Sequence, residues 1–131
     1  MKQLTNQEFN ETFRKRTKQF ALQVIALSDK FPNKESARVI NRQLLRSATS
    51  IAANFRAVCR GRSNAEFYSK LCIVVEEADE TQFWLEMLAD SKLMDNNHAE
   101  IIELISEVSE ILAITTSIKT KLYKNHNSVQ Q

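Results

Sequence analysis

Glycine and proline are almost missing from this chain, with one of each in 131 residues. Sheets and loop-borne active sites use both residues in turns, so their scarcity argues for a few long helices. A single glycine also excludes a Gly-rich phosphate loop and any collagen-like repeat. Cys59 and Cys72 are too few for a disulfide framework or a zinc site, and neither has a histidine nearby in sequence. The two histidines, His98 and His126, do not follow a glutamate by three, so the Glu-x-x-His pairs of di-metal bundles are lacking. Lys, Arg, Asp or Glu interrupts every candidate for an 18-residue apolar run, and Met1 to Asn6 hold no apolar signal-peptide core. Eighteen basic residues against sixteen acidic ones leave a net charge of +2, which is no polycation. The expectation is a cytoplasmic protein that is not an enzyme, with no cofactor, no metal and no membrane partner.

What is present is helical periodicity. Three places interrupt it: Phe31-Pro32-Asn33, Arg60-Gly61-Arg62-Ser63 and Asp95-Asn96-Asn97. Gly61 is suited to a left-handed position after a helix end. Thr5, Ser63 and Asn97 each precede an acid by three residues, the pattern of a helix N-cap. The spacing therefore predicts helices over about 6–30, 34–60, 64–93 and 98–123, followed by a polar tail over 124–131. Phe13, Thr17, Phe20, Val24, Leu27 and Phe31 step by four and three, and the other segments repeat the pattern. Short connections between helices of this length predict an all-α fold, a single antiparallel up-down-up-down four-helix bundle.

Apolar residues exceed what one buried face requires. Phe83 and Trp84 in the third segment are surplus, which predicts self-association. Charge is partitioned as well: residues 33–62 hold seven basic residues and one acid, whereas residues 63–94 hold seven acids and two lysines. In an antiparallel hairpin this predicts a ladder pairing Arg46 with Glu77, Arg42 with Glu80, Arg38 with Glu86 and Arg56 with Glu66, within or between subunits. Arg14, Lys15 and Lys18 fall in the same half of the bundle as Arg56, Arg60 and Arg62. These six are the candidate phosphate-binding patch, with Glu8 and Glu11 at the same height. No basic-aromatic alternation marks a base-stacking platform.

Gln43-Leu44-Leu45-Arg46-Ser47-Ala48-Thr49-Ser50-Ile51-Ala52-Ala53-Asn54 resembles the Q-L-x-R-A-A-x-S-I-x-x-N run of the 23S rRNA intervening-sequence protein family. Arg62-Ser63, Glu66-Phe67 and Leu71 resemble its R-S-x-x-E-F-x-x-x-L continuation. Phe55-Arg56-Ala57-Val58-Cys59-Arg60 departs from the commoner I-A-E-G and is similar to a branch with Y-R-A-x-C-R, in which the acidic run Glu76 to Glu86 also has a counterpart. The resemblance implies a small helical subunit assembling as a homopentamer, with no established biochemical role. A similar protein, the accessory variability protein of diversity-generating retroelements, implies nucleic acid or a reverse transcriptase as a partner. Asn54, on one side of the second segment with Ser47 and Ser50, is expected to find hydrogen-bond partners on a neighbouring helix or subunit.

Overall fold

In a computed structural model, which describes residues 6–130 and side chains through residue 125, the chain forms four long helices. They are α1 (Asn6–Ser28), α2 (Glu35–Cys59), α3 (Asn64–Ser91) and α4 (His98–Gln130). The last outruns its expected end at 123, because no glycine or proline follows to stop it, and the stretch expected as a tail is helical through Gln130. Thr5 and the side chain of His126 lie outside the described residues.

The connections use the expected breakers with two differences. Ser63 caps α3 as expected: its hydroxyl accepts from Glu66 N–H at 3.1 Å, while the Glu66 carboxylate accepts from Arg62 N–H at 2.7 Å. Gly61, by contrast, is not left-handed; among the described residues the one with positive φ is Lys92, at 60°, closing α3. A side chain there carries a backbone cost that glycine would not. Asn97 does not cap α4 either. It ends a 3₁₀ turn, Asp95–Asn97, and its amide donates to Glu100.

Cross-helix contacts run in the order an antiparallel arrangement requires. Cys59 Sγ donates to the Asn10 carbonyl and Phe55 meets Phe13 edge-on at 4.8 Å, joining the end of α2 to the start of α1. Tyr68 meets Tyr123 while Gln82 meets Ser109, so moving up α3 is moving down α4. Arg16 pairs with Glu107, and Lys30, in the turn just past α1, pairs with the earlier Glu100. Packing is extensive between consecutive helices and sparse between α1 and α4. There the two ion-paired positions flank a groove of about 430 Å³.

The core follows the 3-4 spacing. Phe20, Val24, Leu27, Leu44, Ile51, Phe55, Leu71, Val74, Leu85, Leu88, Val108 and Ile111 are all buried. Thr17, Ser47, Thr81 and Thr115 are buried with them, and each hydroxyl donates to a carbonyl one turn earlier on its own helix. That bond satisfies the hydroxyl without a cross-helix partner, so these positions act as small core residues. Asn41 Oδ1 is buried without such a partner.

Candidate nucleic-acid interface and contact faces

The turn at Pro32 folds the start of α1 against the end of α2. A groove of about 680 Å³ results, lined by Glu11, Arg14, Lys18, Ala52, Ala53, Arg56, Cys59 and Arg60. Four of the six candidate phosphate ligands thus share one surface. Two alanines on α2, Ala52 and Ala53, line it where longer side chains would fill it. Arg14 is partly neutralised: Glu11 accepts from its Nη2 at 2.7 Å and from its Nε at 3.3 Å. The same contact holds the Glu11 carboxyl below its usual range. Lys18, Arg56 and Arg60 make no ion pair among the described residues. Lys15 lies outside the groove, 71% exposed and 3.7 Å from Glu11. Arg62 is also outside, exposed at the turn where its backbone binds Glu66.

Cys59 sits on the groove wall, but burial pushes its thiol pKa up and so disfavours the nucleophilic thiolate. Among the described residues no group of three His, Cys, Asp or Glu side chains is placed to hold a metal ion.

The expected ion-pair ladder between α2 and α3 is a single junction. Arg46 reaches Glu77 at 3.1 Å and also binds Glu80, which in turn accepts from Trp84 Nε1 at 3.3 Å. Arg46, followed by Trp84, lowers the pKa of Glu80. Arg42 does not reach Glu80. Four residues before Arg46, it is rotated about 40° round the helix, away from α3. Arg38 pairs instead with Glu35 on its own helix at 2.8 Å, and Arg56 leaves Glu66 to the turn. Charge balance between two helices does not fix rungs; the angular position of each side chain does.

Asn54 also departs from expectation. Its amide donates to the Ser50 carbonyl and hydroxyl, both at 2.9 Å, so its partners lie on its own helix. Phe83 is 49% exposed and stacks edge-on against half-buried Trp84 at 4.9 Å. Sequence reasoning missed a cross-bundle contact, Arg16 with Glu107 at 2.7 Å and Glu110 at 3.1 Å. Its signal was the pair of acids three apart on α4, which only the α1–α4 adjacency brings to Arg16.

An all-α fold of four helices with charged surface grooves defines the class. The chain belongs to the 23S rRNA-intervening sequence protein family, whose model matches residues 10–116. It is similar to a crystal structure of a protein of unknown function from the S23 ribosomal protein family of Bacteroides thetaiotaomicron. The two share 30% identity at a TM-score of 0.75, over 85% of this chain and 97% of that one. No curated protein matches the chain. No helix among the described residues is long and apolar enough to cross a membrane.

Proposed function

We propose that this chain is a non-enzymatic, self-assembling helical subunit that serves as an interaction module, with five copies the number its family resemblance implies. One observation carries this reading: the bundle completes its core and still leaves Leu22, Ile25, Val39, Phe83, Met87 and Ile102 over 40% exposed. Burying such side chains against another protein surface removes their area from water, at about 25 cal/mol per Å². Light scattering at micromolar concentration is expected to give several times the 15.1 kDa subunit mass. A monomer at that concentration overturns the reading.

The basic groove favours a second reading, a nucleic-acid-binding accessory role alongside an RNA or a polymerase partner. Three cations without carboxylate partners, repeated on every subunit, suit phosphate binding that is indifferent to base sequence. The expected result is oligonucleotide binding, followed by fluorescence anisotropy, that weakens steeply between ~50 and ~200 mM salt. Arg56→Glu/Arg60→Glu should flatten the log–log salt dependence by about 0.7–0.9 for each phosphate left without its cation. Unchanged binding by that variant removes the groove from the interface.

A further inference from the structure

The outer faces of α1 and α3 carry the same pattern with opposite charge. On α3, Glu76, Asp79, Phe83, Met87 and Asp90 recur at the three-and-four spacing that puts them on one side of a helix. Glu86, beside Met87, extends the acidic rim. All six are exposed, and the four acids make no ion pair among the described residues. On α1, Lys15, Lys18, Leu22 and Ile25 follow the corresponding spacing and are all exposed. Lys18 has no carboxylate partner, and Lys15 has only the long contact with Glu11. At the register set by Phe13–Phe55 and Asn10–Cys59, exposed Arg42 of α2 falls level with Ala26, adding a cation beside Ile25. Asp29, one turn beyond Ile25 and just past the end of α1, and Glu11, one turn before Lys15, are the opposing charges on this face.

We propose that the acid-rimmed Phe83–Met87 face of one copy docks on the base-rimmed Leu22–Ile25 face of a second copy. This rests on the self-assembly reading above and names its two surfaces. Charge complementarity selects the occupant: like faces repel, so α3 does not dock on α3 nor α1 on α1, and the contact is head-to-tail. The helices α1 and α3 run the same way within a subunit. A head-to-tail array of parallel subunits therefore sets them parallel, with Lys15 opposite Glu76, Lys18 opposite Asp79 and Leu22 opposite Phe83. The apolar pairs exclude water from the centre, and the ion pairs at the rim fix register and partner.

The test uses two charge reversals at exposed positions, Lys15→Glu/Lys18→Glu and Glu76→Lys/Asp79→Lys, with light scattering as the readout. Each variant alone is expected at the 15.1 kDa subunit mass under conditions where the wild type is several times heavier. Mixed in equal amounts, the two should form complexes heavier than either variant alone, because each reversed face meets a complementary one in an alternating array, which a five-membered ring cannot close; this gain in mass also shows that both variants are folded. In the wild type, a zero-length carbodiimide should join Lys15 or Lys18 to Glu76 or Asp79. Since α1 and α3 occupy diagonal corners of the bundle, such a link joins two copies. A monomeric wild type overturns the self-assembly reading and this proposal together. An assembled wild type whose variants keep its mass, or whose mixed variants stay monomeric, overturns the proposal alone. So does a Lys15→Glu/Lys18→Glu variant of wild-type mass that no longer binds oligonucleotide, which would assign these lysines to phosphate.

Discussion

Phe55→Ala is expected to destabilise the subunit by about 3–5 kcal/mol, the range for deleting a fully buried aromatic ring. Phe55 is 1% exposed and meets Phe13, itself 3% exposed, ring edge to ring face at 4.8 Å. Removing the ring deletes buried apolar area, leaves a cavity and forfeits an aromatic pair contributing about 0.5–1.5 kcal/mol beyond that area. Domains of this kind unfold with about 5–15 kcal/mol, so the loss takes a large share of the total. The rings lie next in sequence to Arg14 and Arg56, and the basic groove rests on their packing. Urea denaturation checks the magnitude; a change below about 1 kcal/mol would mean that the α1–α2 end repacks around the void.

Ala78→Leu is expected to cost about 1–3 kcal/mol by the opposite route, overpacking. Ala78 and Thr81 on α3 are fully buried, as are Ser47 and Ala48 on α2. These small residues stand at the height of the Arg46 junction with Glu77 and Glu80, where they let the two helices approach closely. A leucine at 78 adds bulk at a fully buried position and must push the helices packed on α3 apart. The Arg46 ion pairs then lengthen, and Glu80 loses the neighbour that lowers its pKa. Thermal unfolding measures the loss, and a midpoint equal to wild type would show that α2 and α3 have room between them at this height. The Arg46 junction itself is exposed on the arginine side, so its own contribution is small, about 0–1 kcal/mol.

Sequence alone determined the parts of this protein governed by local physics. The scarcity of glycine and proline, the 3-4 apolar spacing and the Ser63 cap specified four helices and most of their core, because hydrophobic periodicity and capping act within a few turns. The family motifs around Arg46 to Asn54 were equally legible, since they are a property of residue order. The gathering of Arg14, Lys18, Arg56 and Arg60 followed from the hairpin at Pro32 once antiparallel heights were compared.

What the tertiary structure decided is where each side chain points around its helix. A residue's height along a bundle follows from counting, but a shift of about 40° decides whether Arg42 or Arg46 reaches α3. For the same reason the Asn54 amide donates to Ser50 on its own helix rather than to a neighbouring helix. Arg16 finds Glu107 and Glu110 only because the first and last helices close the bundle, a pairing 91 positions apart that no local pattern encodes. Left-handed geometry fell to Lys92 rather than Gly61 because the turn after α3, and not the one after α2, reverses through a positive φ.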